Sequence, residues 1–216
     1  MLLAPLQRRK FERMHASDDP FAYAGKRFEL DRLDRMIGLL GGKVFENALE
    51  VGCAEGALTE RLAVLCRKVT AMDISEGALV KARTRVGPGV RVDWVQGNLM
   101  DWDPAARGPF DLVVVSEVLY YLGERNTLMR LTGAGGRVLE GALARMAGAL
   151  TPGGRLLLAH SFAGSELRAR RVAYREALER LGLVLLREEE VPPTGEEGTD
   201  ECLLSLLERP GEAQRP

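Results

Sequence analysis

The stretch Ala48-Leu49-Glu50-Val51-Gly52-Cys53-Ala54-Glu55-Gly56-Ala57-Leu58-Thr59 decides how this chain reads. A short apolar run enters a glycine-bearing turn and leaves it as a helical pattern, so strand, tight turn and helix follow one another. Gly52 permits a tight turn with close approach of a ligand, and Gly56 lets the backbone pass near a ligand at the helix start. The motif is not GxGxxG, because Ala54 stands where the second glycine belongs. A dinucleotide needs that glycine for its pyrophosphate, whereas a ligand without phosphate does not.

Working outward, short apolar runs at 48–51, 69–72, 90–95, 112–115 and 155–159 alternate with helical patterns at 58–65, 77–85, 138–150 and 167–181. That alternation is the signature of βαβ units, and continuously apolar runs are strands covered on both faces. After residue 181 the rhythm changes. Runs at 183–186 and 202–207 are joined through Pro192-Pro193-Thr194-Gly195 with no helix between them, so they pair antiparallel. The expected fold is α/β: a Rossmann-like, doubly wound seven-stranded sheet, mostly parallel with a C-terminal antiparallel hairpin. Residues 26–210 form the domain, including a helix from Lys26 to Leu40 stopped by Gly41-Gly42. Residues 1–25 are an N-terminal arm or lid outside the core, 211–216 a disordered tail. The segment 123–137, with Thr132-Gly133-Ala134-Gly135-Gly136, reads as a flexible surface insertion, and Thr151-Pro152-Gly153-Gly154 as the turn before the fifth strand.

Composition narrows the function. The chain has 216 residues with a formal net charge of −1, which argues against the basic footprint of a nucleic-acid binder. No apolar run is long enough to span a membrane, and the first residues lack a signal-peptide core, so a soluble, cytoplasmic protein is expected. Cys53, Cys66 and Cys202 are scattered, without CxxC or metal spacing, and no metal is expected.

Polar and glycine positions fall at the carboxyl ends of the five parallel strands, the edge where open α/β sheets bind ligands. Gly52 ends the first. Asp73 ends the second, placed to accept hydrogen bonds from both hydroxyls of a ribose or, more plainly, to cap the next helix. Asn98 follows the third and suits either an adenine amino group, with Leu99 on the ring, or a simple turn. Past the fourth lie Ser116-Glu117-Val118-Leu119-Tyr120-Tyr121-Leu122, with a carboxylate and two phenols. Adjacent helix positions point Tyr120 and Tyr121 different ways, one into an acceptor pocket and one into packing. The fifth delivers His160, either a hydrogen-bonded strand-end histidine or a base near neutral pH.

These features together resemble the class I S-adenosylmethionine-dependent methyltransferases over roughly residues 45–210, and more closely the NodS (nodulation protein S) N-methyltransferase family. The closer likeness rests on Asp18-Asp19-Pro20 before an aromatic residue, on Phe28-Glu29 and on Leu49-Glu50-Val51-Gly52-Cys53-Ala54. Ser116-Glu117-Val118-Leu119-Tyr120-Tyr121-Leu122 and Asp200-Glu201-Cys202-Leu203-Leu204 complete it. Phe21 stands where the family usually has Trp. The resemblance implies that S-adenosyl-L-methionine is the cofactor and S-adenosyl-L-homocysteine the product. It implies that Glu50 organises the glycine loop or the methionine amino group, with Gly52, Cys53 and Gly56 around the amino-acid part. Asp73 then holds the ribose, Ile74 packs on the adenine, Asn98 and Leu99 frame its other edges, and the Ser116 carbonyl meets the amino group. Tyr23 and Phe21 would close over the site.

For the acceptor, the resemblance implies the amine of an amino sugar or chitooligosaccharide; Glu117 is placed to orient such an amine or accept its proton, with Tyr120 and Tyr121 nearby. The alternative is O-methylation of a sugar hydroxyl or other natural product, with His160 as base. A nucleotide-dependent oxidoreductase and a catalytically silent cofactor-binding protein are the competing classes. The expected partner is a small-molecule or oligosaccharide acceptor, with no nucleic acid and no membrane, on a monomer or homodimer.

Overall fold

The computed structural model describes residues 3–17, 26–122, 135–195 and 200–211. Asp18-Asp19-Pro20, Phe21, Tyr23, residues 123–134 of the expected insertion and the tail 212–216 lie outside the described residues. The chain opens with α1 (Leu3–Met14) and α2 (Arg27–Leu39), then runs β1 (Ala48–Val51), α3 (Ala57–Leu65), β2 (Val69–Asp73), α4 (Glu76–Val86) and β3 (Val92–Gln96). There follow β4 (Phe110–Ser116), a 3-10 turn at Leu119–Tyr121, α5 (Gly135–Ala149), β5 (Leu150–Phe162), α6 (Gly164–Arg180), β6 (Val184–Val191) and β7 (Glu201–Glu208).

The seven strands form one sheet in the order β3-β2-β1-β4-β5-β7-β6. β1 pairs parallel with β2 and β4, and β7 pairs antiparallel with both β5 and β6. This is the expected Rossmann-like sheet with its C-terminal hairpin. The order reverses between β1 and β4, which opens a crevice beyond their carboxyl ends. All residues of β1 and β2 are buried, because helices cover both sheet faces. One face packs Ala48, Val69, Leu112 and Val114 against Phe28, Leu33 and Met36 of α2 and Leu58 and Leu62 of α3. The other packs Leu49, Val113, Val115 and Leu158 against Leu143 and Met146 of α5 and Tyr174 and Leu178 of α6.

Two local expectations are corrected. Gly135, Gly136 and Arg137 belong to the first turn of α5 instead of a loop. Thr151-Pro152-Gly153-Gly154 lies inside β5, not before it. There one residue of β4 faces four of β5 between the pairs Phe110↔Leu150 and Leu112↔Arg155. Gly153, with φ 74°, takes up part of that bulge while its N–H reaches the Arg209 carbonyl. The N-terminal arm contains a 12-residue helix, α1, and the buried His15 follows its end. Among the described residues no helix is long and apolar enough to cross a membrane.

Candidate active site

A cavity of about 380 Å³ opens at the crevice between the ends of β1 and β4. Gly52, Asp73, Ile74, Asn98, Leu99, Ser116, Glu117, Tyr120 and Tyr121 all line it. The sheet brings these together because each follows a strand end on the same edge.

The glycine turn is built around Asp73. Gly52 takes φ 75° and Ala54 φ 46°, a left-handed pair that folds the chain back at once. The Gly52 and Cys53 N–H groups donate to the Met72 carbonyl at 2.7 and 3.0 Å, and the Ala54 N–H donates to Asp73 Oδ2 at 3.0 Å. Asp73 Oδ1 accepts the Ser75 N–H at 2.8 Å, which turns the chain into α4. Burial pushes the Asp73 carboxyl up from its ordinary value, while the Ser75 and Ala54 N–H groups pull the other way. Each carboxylate oxygen keeps accepting capacity toward the cavity. A Cβ on Gly52 would lie 2.3 Å from the Val118 side chain, so the close approach of the segment after β4 requires glycine there.

Three residues expected at the cofactor stand elsewhere. Glu50, Cys53 and Gly56 do not line the cavity. Glu50 faces the other way, where the Thr59 hydroxyl of α3 donates to its Oε2 at 2.6 Å. The alternation along β1 sends Glu50 to the α3 face, and complete burial there pushes its carboxyl up to about 8. Cys53 packs into the core on the same face. Gly56 caps α3 with φ 80°, and a Cβ there would come 2.9 Å from that of Ala82. Its role is the packing of α3 on α4.

Asn98 Oδ1 accepts the Met100 N–H at 3.0 Å, a turn bond, and its Nδ2 lies 3.5 Å from Gln7 Oε1. Gln7 belongs to α1, which also sends Phe11, Met14 and His15 to the cavity wall. Phe11 meets the Tyr121 ring edge-on at a 4.9 Å centroid distance. Glu12 accepts the Ser75 hydroxyl and the Glu76 and Gly77 N–H groups at the start of α4, and these bonds hold its carboxyl below the ordinary value although burial opposes them. His15 Nδ1 sits 2.6 Å from Glu55 Oε1, both side chains buried. Gln7, Phe11, Met14 and His15 are spaced four, three and one apart, a helical stripe legible in sequence but hidden by the charges around it.

Beyond β4 a second network forms. Glu117, at φ 57°, accepts the Ser161 N–H at 2.8 Å and hydroxyl at 2.9 Å on Oε1, and the Tyr120 hydroxyl at 2.8 Å on Oε2. Arg32 of α2, only 2% exposed, donates to Ser116 Oγ at 2.6 Å and to Glu29 Oε2 through Nε and an η nitrogen at 3.2 and 2.6 Å; its other η nitrogen lies 3.9 Å from Glu117. Burial alone raises the Glu117 carboxyl, but Arg32 and the Tyr120 and Ser161 hydrogen bonds outweigh it and hold the group below the ordinary value. Glu117 is therefore an ionised carboxylate with hydrogen bonds on both oxygens. Arg32 and Glu29 are the site residues that sequence reasoning missed. The available sign was Arg32 four residues from Phe28 and from Met36, a charge on the apolar stripe of α2.

Two further expectations change. Tyr120 and Tyr121 do not divide between pocket and packing. The 3-10 turn places both at the cavity, rings 4.6 Å apart. His160 is 1% exposed and does not line the cavity. Its Nε2 accepts the Leu119 N–H at 3.1 Å, which supports the turn carrying the tyrosines.

A family model described as nodulation protein S (NodS) matches residues 6–158. The nodulation protein S of Rhizobium tropici is 34% identical over 197 residues, covering 90% of this chain and 77% of the relative. That of Sinorhizobium fredii NGR234 is 29% identical over 196 residues, covering 90% and 85%. Among solved structures, the N-methyltransferase NodS from Bradyrhizobium japonicum WM9, in complex with S-adenosyl-L-homocysteine, is similar with a TM-score of 0.78 and 28% identity over 94% of this chain and 98% of that one. With a model spanning most of the chain and relatives matched over nearly all of it, this protein belongs to the nodulation protein S family and is an S-adenosylmethionine-dependent methyltransferase.

Proposed function

We propose that the chain N-methylates the amine of an amino sugar or chitooligosaccharide. The reading is supported first by the Bradyrhizobium japonicum relative, which is named an N-methyltransferase. The residues present also fit the cofactor. Asp73 retains one accepting direction on each oxygen for a vicinal diol. The cavity edge at Gly52 brings bare backbone to the amino-acid part, and carboxylates rather than a phosphate cradle surround the space, which suits a cation. Asp73 would hold the ribose, Ile74 and Leu99 the adenine faces, and Gly52 with Ser116 the methionine part. When bound, the cofactor supplies a methyl carbon made electrophilic by its sulfonium.

The protein then has to align an acceptor nitrogen with that carbon and keep water away. The helix α1 is placed to keep water out. Glu12 ties this helix to α4, His15 ties it to Glu55 of the glycine loop, and its inner face covers the cavity. An amine needs a free lone pair, so an ammonium proton has to leave beforehand, but no base has to act during methyl transfer itself. A hydroxyl acceptor needs a general base, and the one expected, His160, has Nε2 committed to a backbone N–H and its ring buried. This commitment of His160 is the observation that carries the choice of nitrogen over oxygen.

The test is incubation with labelled cofactor and a chitooligosaccharide bearing one free amine, beside its fully N-acetylated counterpart. Mass spectrometry should place one methyl group on the nitrogen of the first and none on the second. Methylation of the acetylated sugar on oxygen would overturn the proposal.

A further inference from the structure

The cavity contains a carboxylate that none of the foregoing roles uses. Glu29 lines it and is 21% exposed at its side chain. Both of its hydrogen bonds from Arg32 fall on Oε2, and Oε1 has no partner among the described residues. Glu117, directly after β4, also lines the cavity but carries hydrogen bonds on both of its oxygens. Three donors and the Arg32 charge occupy it, and its backbone is locked in the left-handed region.

We propose that Glu29, held in place by Arg32, is the residue that recognises the acceptor amine and takes its proton, and that Arg32 is the positioning residue of this site. The inference rests on the amine-acceptor reading above. Arg32 is suited to this because its fork is rigid and permanently charged. One side grips Glu29 of α2 and the other grips Ser116 at the end of β4, so helix and strand end move as one unit. Glu29 Oε1 is thereby left as an acceptor for an ammonium hydrogen. Two carboxylates near an amine favour its protonated form, so a proton has to leave before attack. It passes from nitrogen to Glu29 and on to water at the partly exposed carboxylate. The nitrogen lone pair then forms the bond to the methyl carbon, and the carbon–sulfur pair stays on sulfur, giving a neutral thioether and a secondary ammonium.

The experiment uses the full chain and the variants Glu29→Gln, Arg32→Lys and Arg32→Met, with thermal melting to verify folding. Calorimetry measures S-adenosyl-L-homocysteine binding, and then binding of the mono-amine chitooligosaccharide and its N-acetylated counterpart to the loaded protein. Steady-state kinetics give KM and kcat for the amine. Glu29→Gln should leave S-adenosyl-L-homocysteine affinity within about twofold, weaken the amine sugar about tenfold and remove its advantage over the acetylated sugar. Arg32→Met should show the same acceptor defect, and Arg32→Lys should restore part of it. A merely structural Arg32 would instead lower both affinities together. Retained preference for the amine in Glu29→Gln overturns the inference while leaving the N-methyltransferase reading intact. If the unaltered protein neither binds nor methylates the amine, that reading falls and this inference falls with it.

Discussion

The two ends of the cavity reach it by different routes. At the Asp73 end, the lining residues come in short stretches directly after β1, β2 and β3, and their contacts are mostly to backbone. The Ala54 N–H meets Asp73 across 19 positions, and the Ser75 N–H meets it across two. At the Glu29 end, the contacts are between side chains of distant elements, with 84 positions between Arg32 and Ser116 and 44 between Glu117 and Ser161. The first end is a property of backbone geometry and stays recognisable in a one-dimensional pattern. The second is a charge network, and only the packing of α2 on the sheet assembles it.

That contrast can be broken or sharpened by substitution. The largest effect should come from Arg32→Met. It strips the counter-charge shared by Glu29 and Glu117 from a buried network, at a cost of about 3–5 kcal/mol in urea unfolding. An unchanged midpoint would mean that the network does not hold α2 to β4.

Next is the pH dependence of Glu50. Its folded carboxyl titrates at about 8 against an ordinary 4.5, so between those values the native state binds a proton that the unfolded chain has released. Stability therefore falls as pH rises through that window, by at most about 1.4 kcal/mol per pH unit from this group, and is fully recovered below it. Glu50→Gln keeps an oxygen for the Thr59 hydroxyl and removes the titration. Its melting temperature should gain on the unaltered protein from about pH 5 to pH 8, the interval between the two carboxyl values. Parallel curves would contradict the assignment.

Asp73→Ala should weaken S-adenosyl-L-homocysteine binding by about 1–3 kcal/mol in calorimetry, because a charged acceptor is lost from a buried site. Unaltered affinity would remove Asp73 from the ribose and leave it as a turn residue alone. The smallest effect belongs to Glu12→Ala. Loss of its bonds at the start of α4 should cost about 1 kcal/mol, seen as faster amide hydrogen exchange along α1. No change there would separate α1 from the cofactor end.

Much of the fold was legible because its signals are local. Strands covered on both faces read as unbroken apolar runs, and the missing helix between 183–186 and 202–207 announced the hairpin. At the site, Gly52, Asp73, Ile74, Asn98, Leu99 and Ser116 were legible by position, since a strand's carboxyl end determines where the next residue points. Glu50 lies inside β1, where the strand's alternation turns it to the α3 face with Ala48 and its carboxylate meets Thr59. His160 also stands near a strand end, yet its ring serves Leu119 instead of the cavity. The 3-10 turn that brings both tyrosines inward has no pattern distinct from its surroundings, and the bulge in β5 was legible only as a turn signal at Thr151-Pro152-Gly153-Gly154.

From its residues alone this chain specified a parallel sheet, a glycine turn without room for a pyrophosphate and an aspartate beside it. Such features depend on backbone conformation and on the periodic burial of apolar side chains, both of which are written in neighbouring positions. Tertiary structure alone decided that Arg32 is buried between Glu29 and Ser116, that Glu117 takes hydrogen bonds on both oxygens while Glu29 meets Arg32 through one, and that α1 lines the cavity. Electrostatic pairing depends on distances in space, and those exist only once helices from separate parts of the chain have packed onto the sheet.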